Sequence, residues 1–414
     1  DGTVTDLNTG LMWIRDAGDK TSYADAMEEL DTYTFAGYDD WRLPTIKELY
    51  SLALFSGVDA SRADSSDVDG LWPFMNEDYF VVQYGDETNS PRVIDAQWLT
   101  SSVYDSTVMS GQECFFGFNF VDGRIKCYPL SSRVSSGYFA QYVRGAEYGV
   151  NDYVENGDGT VTDDATGLTW TQNDAGEALG WEDALDHCES LTLAGSDEWR
   201  LANIKELHSL VDYDRSPDMT NSPAIAPLFN LTPITNEAGD SDYGGYWSST
   251  TLIAYPGVVQ AATYISFGRS LGYIEEFGGW VDVHGAGAQR SDPKVPSDQT
   301  YETGLGPQGD AVRMHNHVFC VSGGVADVSS GDDPSTLVLS DAEFVPEGTA
   351  TGGGAEVPAD GGDGEGPDLA AAAAKLGISE QELMGALGPP PPNLEAAATT
   401  LGITVEQLRD ALGI

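Results

Sequence analysis

Hydrophobic and polar positions follow the same pattern twice along the chain. Each copy opens with a short run in which apolar and polar residues alternate, as at Thr3-Val4-Thr5, which predicts a strand. A predicted helix follows, from Tyr23 to Leu30 in the first copy and from Trp181 to Leu191 in the second. A long stretch rich in Asp, Ser and Gly then leads to further strands. The order of strand, helices, long loops and antiparallel strands predicts an α+β fold.

The repetition extends to individual residues. Residues Asp1 to Asp6 have the sequence Asp-Gly-Thr-Val-Thr-Asp, which recurs from Asp158 to Asp163. We therefore divide this part of the chain into module 1, residues 1–148, and module 2, residues 149–325. The second copy of the motif has a lead-in from Asn151 to Gly157, whereas the first copy begins at Asp1. This difference predicts a processed or trimmed N-terminus.

A Trp-Arg-Leu segment precedes a predicted helix in both copies, and we call it the Trp-Arg-Leu corner. Its residues are Trp41, Arg42 and Glu48 in module 1 and Trp199, Arg200 and Glu206 in module 2. Thr45 and Asn203 lie three residues before the two glutamates, which is the spacing of a capping box at a helix N-terminus. A Trp-Arg pair beside a rigid helix end favours a buried structural corner over a ligand site.

The charge of the chain disfavours several classes of function. Its 414 residues carry a formal net charge of −48 at pH 7, which repels phosphate backbones and anionic lipids. We therefore expect no nucleic-acid binding, and without a run of about 18 apolar residues we expect no membrane insertion. A hydrophobic fraction of 41% suffices for packed cores. The sequence also lacks the G-x-S-x-G, P-loop and H-E-x-x-H motifs, so we expect no enzyme.

Several motifs occur in one fixed order in both copies. They are Asp-Gly-Thr-Val-Thr-Asp, Thr-Gly-Leu-x-Trp, the Trp-Arg-Leu corner with its Lys-Glu-Leu helix start, and a Trp close to two serines. In this order they resemble the DUF1566 family, also called the Lcl C-terminal domain, over residues 1–145 and 158–324. The resemblance implies two tandem, compact, C-type-lectin-like modules on a bacterial extracellular surface. It implies no defined catalytic residues.

The four cysteines agree with this resemblance. Cys188 lies in the predicted first helix of module 2 and Cys320 in its last strand, and module 1 lacks both. A bond from the first helix to the last strand is also found in C-type-lectin-like folds, so we predict a Cys188–Cys320 disulfide. Cys114 and Cys127 are then expected to pair within module 1. The absence of C-x-x-C spacing disfavours a metal site of four thiolates, and disulfides indicate an oxidising compartment.

Acidic loops make structural calcium a hypothesis, although no cofactor is required. The carboxylates considered are Asp59, Asp64, Asp67 and Asp69 in module 1, and Asp212, Asp214, Asp240 and Asp242 in module 2. Calcium prefers such oxygen ligands, and the resemblance implies long loops of the kind that often hold it. The Glu-Pro-Asn and Trp-Asn-Asp sugar-binding signatures of true C-type lectins are absent. His315 and His317 are a weaker candidate for a metal pair, and we favour ordinary strand positions for them.

The composition changes after Ala326. Residues 326–367 are predicted to form one short strand and an acidic Gly/Pro linker, which cannot fold alone. Residues 368–414 contain two helix pairs, in which Leu383 matches Leu408 at a period of 25 residues. Two such pairs are too small to stabilise a core unaided. They need each other, the modules or a neighbouring molecule.

These patterns predict a non-catalytic bacterial protein that is secreted or displayed at the cell surface. Our first hypothesis is a structural subunit of a surface assembly or filament, whose protein partners are further copies joined through the tail or the acidic loops. The alternative is an adhesin-type module that binds glycans or cell-surface proteins, with two copies supplying avidity.

Overall fold

The computed structural model describes most of the two modules and part of the tail. The described residues are 2–63, 68, 71–85, 92–131, 137–254, 259–295, 300–323, 373, 375–376, 378, 383, 397–398 and 401–412. The strand and linker predicted within 326–367 lie outside these ranges.

Module 1 combines short strands with two short helices, as the pattern predicts. Its elements are β1 (Thr3–Thr5), β2 (Met12–Ile14), α1 (Tyr23–Leu30), α2 (Ile46–Ser51), β3 (Val58–Asp59), β4 (Cys114–Asn119), β5 (Arg124–Pro129) and β6 (Val143–Arg144). Helix α1 has the predicted bounds, and the Ser22 side chain caps it by accepting a hydrogen bond from the backbone amide of Asp25.

Module 2 repeats this order and adds strands. Its elements are β7 (Tyr153–Glu155), β8 (Thr160–Asp163), β9 (Leu168–Thr171), α3 (Trp181–Glu189), β10 (Arg200–Leu201), α4 (Ile204–Ser209), β11 (Pro233–Thr235), β12 (Ser241–Tyr243), β13 (Gly245–Ala254), β14 (Val259–Ser266), β15 (Leu271–Ile274), a 3₁₀ turn (Glu275–Phe277), β16 (Gly279–Asp282), β17 (Gln289–Pro293) and β18 (Cys320–Gly323). Helix α3 ends two residues before the predicted Leu191. The α+β fold class is confirmed.

The two modules share one sheet. In each module, the N-terminal strands pair with the last strand, in the order β1-β2-β6 and in the order β10-β18-β9-β8-β7. A further six-stranded sheet runs β3-β13-β14-β17-β5-β4 and takes three strands from each module. Within it, β3 pairs in parallel with β13, and Gln289 of β17 pairs with Ile125 of β5. The largest hydrophobic core also contains both Trp13 and Trp170, so the modules pack as one unit.

A glutamate holds the Trp-Arg-Leu corner by accepting hydrogen bonds from two other residues. Arg42 donates hydrogen bonds of 2.6 Å from its two terminal nitrogens to the two carboxylate oxygens of Glu48. The same carboxylate accepts the backbone amide of Thr45, which completes a capping box at the start of α2. The Trp41 ring donates its N–H to the carbonyl of Phe35. The corner is therefore hydrogen-bonded, and its Arg is held by a carboxylate.

Module 2 reproduces this geometry with a different capping residue. Arg200 donates to both carboxylate oxygens of Glu206 at 2.7 and 2.6 Å, and Glu206 accepts the backbone amide of Asn203. Arg200 also donates to the carbonyl of Gly323 at 3.2 Å, which joins the corner to the end of β18. The predicted capping boxes are confirmed in both modules.

Helices α2 and α4 pack against each other, and each places a lysine at the C-terminal end of the other. Lys47 of α2 donates to the carbonyl of Ser209 at the end of α4, at 2.8 Å. Lys205, the equivalent residue of α4, donates to the carbonyl of Ser51 at the end of α2, also at 2.8 Å. A lysine at a helix C-terminus satisfies carbonyls that lack partners within the helix. This exchange relates the two modules by an approximate two-fold symmetry.

Two disulfides connect the elements predicted for them. Cys188 of α3 is bonded to Cys320 of β18, and Cys114 is bonded to Cys127 across the β4–β5 hairpin. Both predicted pairings are confirmed.

The tail contains a small hydrophobic cluster of its own. Its helix α5 (Val405–Leu412) begins with Thr404 and Gln407 in a reciprocal cap. Leu383 and Leu408 are fully buried in one cluster that draws on both helix pairs. No helix among the described residues is long and apolar enough to cross a membrane.

We expect Arg200→Ala to destabilise module 2, and with it the packed pair of modules, although Arg200 is not part of the pocket lining described below. The substitution leaves the largely buried Glu206 carboxylate without its ion-pair partner, which costs about 3 kcal/mol. Thermal unfolding followed by circular dichroism measures the effect, with Arg15→Ala at an exposed position as the control. A wild-type melting temperature for Arg200→Ala would contradict the assigned role.

Lys205→Met tests whether the modules unfold as one unit. Removing the ammonium leaves the carbonyls of Ser51 and Ala53 without this donor, which lowers the free energy of unfolding by about 2 kcal/mol. Because the sheet and core are shared, we expect a single urea transition that shifts as a whole, as monitored by Trp fluorescence. Lys47→Met should behave alike, and Arg15→Met is the control. A second, separate transition would mean that the modules unfold independently.

Candidate functional site

A pocket of about 400 Å³ lies where loops of the two modules meet. Module 1 contributes Thr107, Ser110 and Gly111, and module 2 contributes Asp218, Asn236, Ala238, Asp240, Arg269, Leu271, Trp280, Val281 and Asp282. The volume falls in the range of small-molecule sites. The pocket therefore requires the two modules to be packed together.

The hairpin of β15 and β16 forms one wall and presents an indole ring. Tyr273 and Trp280 are paired across the hairpin, and their rings meet edge to face with centroids 5.6 Å apart. Such a contact restrains the orientation of the Trp280 ring. Trp280 remains partly exposed and lines the pocket.

A guanidinium group also lines the pocket. Arg269 donates to the Asp218 carboxylate from both Nε and Nη2, at 3.0 and 2.5 Å. Its Nη1 lies 3.3 Å from Asp242 Oδ2, an ionic contact without hydrogen-bond geometry. The turn that carries Arg269 passes so close to β12 that a Cβ at Gly268 would lie 2.1 Å from the carbonyl oxygen of Tyr243. Glycine at this position therefore allows Arg269 to approach the two carboxylates.

The turn between β11 and β12 supplies a second group of polar atoms. Asn236 Oδ1 accepts the backbone amides of Ala238 and Asp240, and Asn236 Nδ2 donates to Asp242 at 2.8 Å. Asp242 is buried, whereas Asp240 is exposed. The Asp240 carboxylate forms no ion pair with any residue that the structure describes.

A turn of module 1 completes the lining. The backbone amide of Met109 donates to the carbonyl of Asp282 at 2.7 Å, and the Tyr104 hydroxyl donates to the Asp282 carboxylate at 3.3 Å. Met109 and Ser110 have φ angles of 47° and 63°, an uncommon conformation for residues other than glycine. The hydrogen bond from Met109 to Asp282 ties this turn to module 2, and such backbone conformations are frequent at functional sites.

The carboxyl group of Asp282 retains a proton more readily than an ordinary aspartate. Burial raises its pKa to about 7, and repulsion from Asp218 and Asp242 adds to this effect. The backbone amides of Gly285 and His284 oppose the shift. Part of the residue remains open to solvent, but its carboxyl lies among Ser270, Gly285 and Tyr104, which accounts for the loss of hydration.

The structure separates the residues considered for calcium. Asp240 lines the pocket, and Asp242 is buried beside it against Arg269 and Asn236. Asp59 is buried and paired with Arg124 at 2.8 Å. Asp212 accepts the backbone amide of Asp214 in a turn at the end of α4. Asp64, Asp67 and Asp69 lie outside the described residues. Among the described residues, no three His, Cys, Asp or Glu side chains form a group that could hold a metal ion, and structural calcium stays a prediction.

The histidines considered for metal binding do not converge. His315 is exposed, whereas His317 is buried with its Nδ1 3.7 Å from Asp174 Oδ2. Burial lowers the pKa of His317, so the ring is neutral at pH 7. The two histidines do not form a pair, and neither lies in a named strand: His317 forms an isolated β-bridge with Tyr246, and His315 lies in the loop before it.

Sequence reasoning missed most of the pocket. It named Asp240, but not Asp218, Arg269, Trp280 or Asp282. The signal in the sequence was Trp280, which directly follows Gly278 and Gly279. An aromatic residue next to a glycine turn is expected to be partly exposed. The corner residues and cysteines, by contrast, are absent from the pocket lining.

A pH series on Asp282→Asn tests the environment of this carboxyl. The pKa is 3.8 in the ordinary state and about 7 in the folded protein. The folded state thus binds more protons between these values, and its free energy of unfolding falls as pH rises, by about 1.4 kcal/mol per pH unit. Asp282→Asn should remove this slope in urea titrations, and Asp197→Asn, at an exposed loop position, should keep it. An unchanged slope in Asp282→Asn would refute the assignment.

Comparison with known proteins identifies the modules. The sequence matches the family model of the Lcl C-terminal domain over residues 2–144 and again over 159–277. No curated protein and no solved structure matches the chain. The two matches together span more than half of the chain and coincide with the repeat that builds the fold. The chain therefore belongs to the Lcl C-terminal domain family, of which it carries two tandem copies.

Proposed function

We propose that the protein is a secreted bacterial binding protein without catalytic activity, whose two C-type-lectin-like modules hold a glycan in the pocket at their junction. The observation that carries this proposal is the partly exposed Trp280 ring, surrounded by carboxylate, amide, guanidinium and hydroxyl groups.

The chemistry of this lining suits a sugar. A sugar ring has apolar C–H faces and a rim of hydroxyls, so it can contact an indole ring with one face and hydrogen-bond at its edge. Asp240 and Asn236 offer acceptors and donors on one side, and Thr107 and Ser110 offer hydroxyls on the other. A few oriented polar groups around an apolar surface are typical of small-molecule sites.

Secretion is supported by the two disulfides, since such bonds persist in oxidising compartments. The C-type-lectin-like fold is supported by the bond between the first helix and the last strand of module 2. The net charge of −48 favours a ligand other than nucleic acid or an anionic membrane.

Self-assembly into a surface structure is the second proposal, and we rank it below glycan binding. Its motivation was that the tail helices need a partner. The buried residues of the two helix pairs cluster with one another, and Lys375 of the first pair donates to the carbonyl of Ala411 in the second. This internal packing weakens the need for a neighbouring molecule. Light scattering of the full chain distinguishes a monomer from an assembly, and a monomer would remove the second proposal.

A glycan array tests the first proposal. We expect the full chain to bind a restricted set of glycans, and Trp280→Ala to reduce binding about tenfold by removing the contact surface. Asp197→Asn, which lies away from the pocket lining, is the control, and each protein is assayed with and without EDTA to test the calcium hypothesis. Absence of binding to any glycan, or binding that is indifferent to Trp280→Ala, would contradict a glycan site in this pocket.

A further inference from the structure

The charges in the pocket do not balance. Arg269 is the only cationic side chain in the lining that the structure describes, and it is matched by Asp218 and Asp242. Asp240 and Asp282 have no cationic partner among the described residues. Two acidic side chains without a cationic partner therefore line a pocket whose remaining polar groups are neutral.

We propose that the ligand of this pocket carries a primary ammonium group on a hydroxylated ring, as a hexosamine with a free amine does. This inference rests on the proposed glycan function and narrows it to one class of sugar. The ammonium would lie between Asp240 and Asp282, with the ring against Trp280.

The geometry favours a cation at this position for two reasons. Two carboxylates with no matching cation attract an ammonium group and repel sulfate or carboxylate groups on a ligand. An indole ring also attracts cations through its π face, and Trp does so more strongly than Tyr or Phe. The Arg269 guanidinium adds little opposing field, because two carboxylates already neutralise it.

The pKa of Asp282 supports the same conclusion. Burial is the main cause of the raised pKa of Asp282, and the nearby carboxylates of Asp218 and Asp242 add to it, as expected where acidic groups outnumber cationic ones. A ligand ammonium would take the place of the proton on Asp282. A metal ion is a poorer occupant of the described lining, because no three of its carboxylates are grouped for coordination.

Calorimetry with matched oligosaccharides tests the proposal on the full chain. The probes are a glucosamine tetramer with free amines, the N-acetylated tetramer of the same length, putrescine as a diamine without a ring, and a heparin tetramer. At a pH where the sugar amines are protonated, we expect the free-amine tetramer to bind about tenfold more tightly than the N-acetylated one. We expect no measurable binding of heparin.

Three variants separate the pocket from the general acidity of the protein. Asp240→Asn removes one pocket charge at an exposed turn and should weaken the free-amine tetramer about fivefold, while leaving the N-acetylated tetramer unchanged. Asp197→Asn changes the net charge equally and should have no effect. Trp280→Ala should weaken both tetramers. Circular dichroism checks that each variant is folded.

Each remaining outcome identifies a different error. Equal affinity for the two tetramers, both sensitive to Trp280→Ala, would overturn the ammonium inference and leave the glycan function standing. Putrescine binding as tightly as the free-amine tetramer, with no effect of Trp280→Ala, would mean attraction to the acidic surface alone and would overturn the inference. Binding that needs calcium and is lost in EDTA would also overturn it. Failure of both tetramers together with a blank glycan array would overturn the function itself.

Discussion

One buried carboxylate in each module holds together the parts on which the rest of the structure depends. Glu206 receives the two terminal nitrogens of Arg200, caps helix α4 through the amide of Asn203, and through Arg200 reaches the end of strand β18. A charge removed from water is tolerated only when it is paired and hydrogen-bonded, and here both conditions are met by residues of a single short segment. The start of the helix, the corner and the closing strand are thereby fixed relative to one another.

This local constraint has a consequence for the whole molecule, because it sets the direction of α4 and of its counterpart α2. With both helices fixed, Lys47 and Lys205 each reach the carbonyls at the end of the opposite helix. Tyr50 and His208, which occupy equivalent positions in the repeat, lie against each other with ring centroids 4.3 Å apart. Burial and the two lysines keep the pKa of His208 well below its ordinary value, so its ring packs as a neutral group. The repeat in the sequence thus becomes a symmetric interface inside one chain.

The pocket lies where the two modules are not equivalent. The two modules share the corner and its helix, but the walls of the pocket come from a hairpin of module 2 and a turn of module 1 that are not equivalent. The shared sheet and core hold these loops at fixed positions relative to each other. Met109 and Tyr104 of one module donate hydrogen bonds to Asp282 of the other. Sites on loops need such a rigid support to hold their geometry. Two modules rather than one are therefore needed to build the pocket.

The sequence by itself determined the local structure and the family. Capping boxes, the bounds of α1 and the two disulfides could all be predicted, because each depends on residue identities at short spacings or on the presence and absence of paired cysteines in the two copies. Its acidic residues could not be sorted in the same way. Considered one residue at a time, Asp59, Asp240 and Asp242 are aspartates with the same chemistry.

Only the tertiary structure decided what each carboxylate does. Asp59 is neutralised by Arg124, Asp242 by Arg269 and Asn236, and Asp240 by no described residue. The two ion pairs join residues far apart in the chain, and Asp282 acquires its raised pKa only from the surroundings that folding creates. The role of Lys47 and Lys205 was equally hidden, because a lysine in a helix gives no sign of the opposite helix that it will cap. Local spacing therefore determines the helices and corners, while the burial and charge of the site depend on contacts that form only when the modules pack.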